Sequence, residues 1–381
     1  MKFSGFSLSS EWNDLKKFEK LDLEKKQVVF YAENSASFNH FKLLIEELTE
    51  KMNIQICYVT SIKNDKIFLN KNKNIISFYI GDGISRTKFF LTLKAKILIM
   101  DMPDLEQFHI KKSKVYSVHY VYLFHSIFSM HSYLRNGALN NYDTIFCVGQ
   151  HHIDEIRATE KVYDLKQKTL IKYGFGRLDQ LLRESKSLSN SNYDDNLIII
   201  SPSYGQNNLL EICGIELINV LLNSNFKVIL RPHFRILRDS KALITSIKNK
   251  FSNNPNFLLE EGVLDPRDFH SSKCLITDWS GIGLEYAFTR ENKVIFIDVP
   301  NKIMNDEYEK IGLEAIEISI RKKIGHIVSP KNLEKIPNLI NLNQNKIEEI
   351  NHIMNQTIFN IGKSANTGAE FIKNFINTSD S

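Results

Sequence analysis

Cys274-Leu275-Ile276-Thr277-Asp278-Trp279-Ser280-Gly281-Ile282-Gly283-Leu284-Glu285-Tyr286-Ala287 changes character twice. Leu275 and Ile276 end an apolar run of the kind that forms a buried strand. Thr277, Asp278 and Ser280 carry side-chain oxygens close enough to the backbone to accept from helix N–H groups. Gly281 and Gly283 remove side chains where the backbone would meet a ligand. Leu284, Ala287 and Phe288 then recur at helical spacing. The stretch predicts strand, polar corner and helix, one step of a parallel α/β sheet. A helix start with unsatisfied N–H groups and small neighbours is a ready anion site, and Glu285, about one turn in, is placed to accept from sugar hydroxyls. An ordinary capped βα connection has the same local pattern, so the choice between the two rests on the rest of the chain.

Working outward, the same rhythm occurs on both sides. Leu197–Ile200, Lys227–Leu230 and Lys293–Asp298 read as strands, with helices over Leu209–Leu222 and about Ser240–Phe251. Earlier, Gln27–Ala32, Ile54–Val59, Ile75–Ile80 and Ala95–Met100 are strand-like, with a helix from about Phe38 to Met52. Val115–Tyr122 and Phe146–Gly149 continue the series. Between about Arg183 and Asp195 the chain turns rich in Ser, Asn and Asp, the composition of a linker. The expected architecture is α/β: two doubly wound, Rossmann-like domains facing across a cleft, with a helical tail. The expected boundaries are 1–182 for an acceptor-side domain, 183–195 for the linker, 196–343 for a donor-binding domain and 344–381 for the tail.

The bulk properties agree with this division. At 381 residues the chain exceeds one ordinary core. It is 43% hydrophobic and 24% charged, with a net charge of +5. So mild a charge does not mark a nucleic-acid binder and is compatible with phosphorylated substrates. Cys57, Cys147, Cys213 and Cys274 are far apart and show no zinc-binding spacing. Buried free thiols and a reducing cytoplasm are the expectation. No secretory leader is expected from the mixed polar start, and no apolar run approaches the ~20 residues of a membrane span. Lys16-Lys17 and Lys111-Lys112 with Lys114 read as solvated faces or as patches for peripheral contact with an anionic membrane.

In doubly wound sheets ligands sit outside the C-terminal strand ends, and two further constellations lie there. Phe124-His125-Ser126 follows an apolar-aromatic run, and His125 is a candidate general base. Ser126 and Ser129 would add hydroxyl donors. His119 and His131 are the other bases within reach. Arg231-Pro232-His233 ends a short apolar strand, with Arg231 a fixed fork of donors suited to phosphate and His233 a donor to a phosphate or leaving group. No metal-ligand cluster, Walker loop or GxGxxG is present. Cations and a helix dipole would then neutralise a leaving diphosphate, and neither metal nor cofactor is expected.

Taken in order, Phe124-His125-Ser126, Ser201-Pro202-Ser203-Tyr204, Arg231-Pro232-His233 and Thr277-Asp278-Trp279-Ser280-Gly281 resemble the motifs of the CDP-glycerol glycerophosphotransferase family, the teichoic-acid primases and polymerases of GT-B fold. The family typically shows His-Gly, Arg-Pro-His-Pro and Thr-Asp-Tyr-Ser-Ser. Here Ser126 replaces the Gly, Phe234 the second Pro, Trp279 the Tyr and Gly281 the second Ser. The resemblance implies transfer of an alditol phosphate from a CDP-activated donor to a glycan or lipid-linked acceptor. In it His125 is the base, His233 and Arg231 bind the diphosphate, and Thr277, Asp278 and Ser280 hold the donor at the helix start, with Gly281 and Glu285 beside them. Ser-Gly-x-Gly-x-Glu also resembles the nucleotide corner of GT-B glycosyltransferases and UDP-sugar 2-epimerases. A sugar transferase using another nucleotide-activated donor is therefore the alternative, and a non-catalytic scaffold a third reading. The resemblance places the protein in the cytoplasm, at most peripheral to the membrane.

Overall fold

The structure is a computed structural model and describes residues 10–187, 193–261, 266–342 and 347–378. It contains two parallel sheets. The first holds β1 (Val28–Ala32), β2 (Ile56–Thr60), β3 (Ile75–Tyr79), β4 (Ile97–Met100), β5 (His119–Leu123), β6 (Thr144–Cys147) and β7 (Thr169–Lys172), in the order β3-β2-β1-β4-β5-β6-β7. The second holds β8 (Asp194–Ile200), β9 (Lys227–Leu230), β10 (Phe257–Leu259), β11 (Ser272–Thr277), β12 (Val294–Ile297) and β13 (Gly325–Val328), in the order β10-β9-β8-β11-β12-β13. All described pairings are parallel. Both orders reverse once, between β1 and β4 and between β8 and β11. These are the switch points where doubly wound sheets bind ligands.

The central strand runs read as continuously apolar because both faces of a parallel sheet are covered there. Every residue of β1 and β12 is buried. One core gathers Val28, Phe30, Phe41, Leu44, Val121 and Phe146; the other gathers Ile198, Leu217, Val228, Ile276, Ile295 and Ile336. Helix Ser10–Lys20, which its polar composition hid from the sequence reading, lies along edge strand β3. There Asp14 accepts the Tyr79 N–H at 3.1 Å, occupying an edge group that would otherwise invite pairing.

The chain divides into two compact units. One comprises 1–125, 134–179 and 358–381, the other 126–133 and 180–357. The expected boundaries differ in three places. The segment 126–133 leaves the first unit immediately after His125. Helix Gly176–Ser187 runs through the start of the expected linker, because Leu178 and Leu181 are fully buried; residues 188–192 of that linker lie outside the described residues. The expected single tail is two helices: Ile347–Thr357 counts with the second unit and Ser364–Thr378 with the first. Asn360 and Gly362 at φ 46° and 76° turn the chain between them. The second helix places Ala369, Ile372 and Ile376 in the first core, and Asp179 fastens its start by accepting from Gly362 N (2.6 Å), Ser364 N (3.0 Å) and Ser364 Oγ (2.5 Å). Between β12 and the tail, β13 and helices Ile316–Ile324 and Ile336–Leu342 had no sequence counterpart.

Candidate active site

At the first switch point the ends of β1, β4 and β5 supply a polar cluster within the first unit. His125 follows β5, and its Nδ1 lies 2.9 Å from the carbonyl of Asp101, which follows β4. A carbonyl only accepts, so Nδ1 carries the ring proton and Nε2 holds the lone pair. The Asp101 carboxyl accepts from Ser37 Oγ at 3.0 Å, joining β4 to the helix Ser37–Glu46 that follows β1. Burial pushes that carboxyl up to about 7, against the smaller opposing pull of the Ser37 hydrogen bond. The ring of His40 stands 6.1 Å from that of His125. Burial, then the neighbouring His125 and Arg177, drive its pKa well below the ordinary imidazole value. His40, Asp101 and Arg177 were not singled out from sequence. Of the three only Asp101 stands directly after a strand; His40 and Arg177 lie within helices Ser37–Glu46 and Gly176–Ser187.

The other two histidines considered as bases are tied into the structure elsewhere. His119 pairs its Nε2 with Thr144 Oγ1 at 2.8 Å and lies 4.3 Å from the Phe375 ring. His131 is buried, its Nε2 on the Leu313 carbonyl at 3.0 Å. The serines expected to add donors beside His125 do something different. Ser126 Oγ accepts from Phe128 N at 3.2 Å and Ser129 Oγ from Ile316 N at 2.7 Å, anchoring segment 126–133 within the second unit.

At the second switch point the loops after β8 and β11 are laced together. Thr277 Oγ1 donates to the Ser201 carbonyl at 2.5 Å. Asp278, fully buried, accepts from Ser203 N at 2.6 Å and Leu209 N at 2.9 Å. Both residues were expected to hold a phosphate. In the structure their oxygens are engaged by buried backbone partners. They hold the Ser201–Tyr204 loop against the strand end. A Cβ on Gly281 would stand 2.8 Å from Ser126 Oγ, and one on Gly283 2.8 Å from Phe296 Cε1, so close protein neighbours already require small residues at both positions. Helix Ile282–Arg290 starts at Gly281 without a side-chain cap. Ser280 and Glu285 are partly exposed at that start. Trp279 Nε1 donates to the Val299 carbonyl at 2.9 Å, beneath the Arg321 guanidinium 3.8 Å away.

Arg231 and His233 both follow β9. Arg231 is buried, its Nε 3.9 Å from a Glu260 carboxylate oxygen. His233 caps helix Phe234–Asp239, its Nδ1 accepting from Arg235 N at 3.2 Å. The proton of neutral His233 is therefore on Nε2, opposite to His125. The His233 ring lies 4.6 Å from that of Tyr204. Among the described residues no group of three or more His, Cys, Asp or Glu side chains could hold a metal ion. The four cysteines are buried and none forms a disulfide.

Comparison with known proteins adds the family. The family model of CDP-Glycerol:Poly(glycerophosphate) glycerophosphotransferase matches residues 15–302. No match was found among curated proteins. Among solved structures, the wall teichoic acid polymerase TagF is similar at a TM-score of 0.62 and 14% identity, over 97% of this chain and 95% of that one. A variant of TagF soaked with CDPG gives 0.61 and 14%, over 97% and 95%. UDP-GlcNAc 2-epimerase of Methanocaldococcus jannaschii, in complex with UDP-GlcNAc and UDP, gives 0.56 and 15%, over 92% and 99%. At these identities the likeness is one of fold, the GT-B fold that TagF and the epimerase share. The match over most of its length makes this chain a member of the CDP-glycerol:poly(glycerophosphate) glycerophosphotransferase family.

Proposed function

We propose that the chain transfers an alditol phosphate, glycerol or ribitol phosphate, from a CDP-activated donor to a hydroxyl of a glycan or lipid-linked acceptor, in the synthesis of a teichoic-acid-type polymer. The observation that supports this most is the pair of opposite tautomers: His125 offers an acceptor nitrogen, His233 an N–H. His125 Nε2 takes the proton of the acceptor hydroxyl as its oxygen attacks the donor's β-phosphorus. The bond from that phosphorus to the bridging oxygen breaks, and CMP leaves with the electron pair. His233 Nε2–H donates to the departing phosphate, and the uncapped helix start at Gly281, with Ser280, receives its charge. Arg231 contributes positive potential from beneath, and Glu285 accepts from donor hydroxyls. This reading assigns neutralisation of the leaving group to the chain's own cations, so turnover is expected to survive EDTA.

No helix among the described residues is long and apolar enough to cross a membrane. On this reading the enzyme works in the cytoplasm and meets lipid-linked acceptors peripherally. The test is a screen of purified protein with CDP-glycerol, CDP-ribitol and UDP-sugars against lipid-linked and glycan acceptors. CMP release is expected. Release of a nucleoside diphosphate alone would replace phosphotransfer by sugar transfer.

A further inference from the structure

Lys302 lies in the loop after β12, and no motif drew attention to it. Its Nζ stands 3.0 Å from the centroid of the Tyr204 ring and 5.1 Å from that of Tyr133. The atom is buried and has no hydrogen-bond partner. The same Tyr204 ring carries the Arg235 guanidinium at 4.6 Å and the His233 ring at 4.6 Å. Three nitrogen-bearing side chains, one from the loop after β12 and two from the start of helix Phe234–Asp239, thus converge on one aromatic ring. The carboxylate that acts on Lys302 most is Asp278, and it already accepts two backbone N–H groups. A ring face attracts cations but does not replace the hydrogen bonds a buried ammonium loses.

We propose that Lys302 is a ligand for the donor's diphosphate, acting with Arg235 and His233 around the Tyr204 ring. The proposal rests on the donor site described above and adds to it a residue and a proton. Burial pushes the Lys302 amine down to about 7, Arg235 pushes the same way, and Asp278 pulls back. The rings of Tyr133 and Tyr204 also face it. A diphosphate placed on Nζ supplies the missing acceptor and favours the ammonium. Donor binding slightly above neutral pH therefore takes up a proton. A lysine that merely covers Tyr204 would do neither.

The experiment is titration calorimetry of CDP-glycerol at pH 7.5 in two buffers of different ionisation enthalpy, with wild type, Lys302→Met and Lys302→Arg, folding being checked by melting temperature. Wild type is expected to bind with net proton uptake. Lys302→Met should bind about ten- to a hundred-fold more weakly, the loss of a charge-assisted hydrogen bond. Lys302→Arg, charged at every pH, should restore most of the affinity without the uptake. Unchanged affinity in Lys302→Met, or uptake that persists in Lys302→Arg, overturns the assignment while leaving the donor site standing. If wild type does not bind CDP-glycerol, the donor site falls and Lys302 with it.

Discussion

Ser126 Oγ lies 2.8 Å from the point where a Cβ on Gly281 would stand. In the motifs that the chain resembles, the first position is glycine and the second serine, so the two departures from those motifs face each other as an exchange. Ser126 cannot rotate away freely, because its Oγ holds the Phe128 N–H. Gly281→Ser alone should therefore overpack the corner and cost about 1–3 kcal/mol. The double variant Ser126→Gly/Gly281→Ser should recover most of that loss. A double-mutant cycle by chemical denaturation reads the coupling directly, and additive losses would show that the contact does not govern the corner.

His125→Ala should lower kcat at least ~100-fold while leaving CDP-glycerol affinity near that of wild type. His119→Ala and His131→Ala should instead lower the melting temperature, since their rings are tied to Thr144, Phe375 and Leu313. Near-normal turnover in His125→Ala would remove it as the base.

Asp101 predicts a pH dependence of stability. Its carboxyl is raised from 3.8 to about 7, chiefly by burial. Between those values the native state binds more protons than the unfolded chain, so stability falls as pH rises from about 4 to about 7 and levels off beyond. Asp101→Asn keeps an acceptor for Ser37 and cannot ionise. Denaturation at pH 5 and pH 8 should show the variant gaining on wild type at the higher pH. An equal difference at both would contradict the buried neutral carboxyl.

Asp278→Ala strands the N–H groups of Ser203 and Leu209 in the interior. Each unsatisfied donor costs about 1–3 kcal/mol, and in a domain of this size each kcal/mol lowers the melting temperature by about 2–4 °C. Asp278→Asn, which keeps one acceptor, should fall between alanine and wild type. A melting curve unchanged in both would argue against the loop lock.

The strand–corner–helix reading of Cys274–Ala287 needed only local chemistry, and the doubly wound α/β class followed from repeating that step. What Thr277 and Asp278 do was not legible locally. Their types fit a phosphate site, but their partners Ser201, Ser203 and Leu209 arrive from 76, 75 and 69 residues away. Gly281 likewise took its meaning from Ser126. Lys302 and His40 carry no motif at all, and become notable only because the fold buries a nitrogen that has no hydrogen-bond partner. His125 and His233 were legible as candidates because each stands in the polar corner two or three residues past an apolar strand. Their opposite tautomers were set by backbone groups no sequence pattern reveals.

The link from Asp179 to Gly362 and Ser364 spans 183 and 185 residues. All seven strands of the first sheet have been synthesised by Lys172, yet Ala369, Ile372 and Ile376 of its core come only with the closing helix. During translation the first unit must therefore wait, one apolar flank uncovered, while residues 180–357 of the second unit are made. The usual order in which an N-terminal domain folds first is reversed in its last step. A ribosome that stops short of Ser364 releases a second unit able to complete its own sheet and a first unit that cannot close.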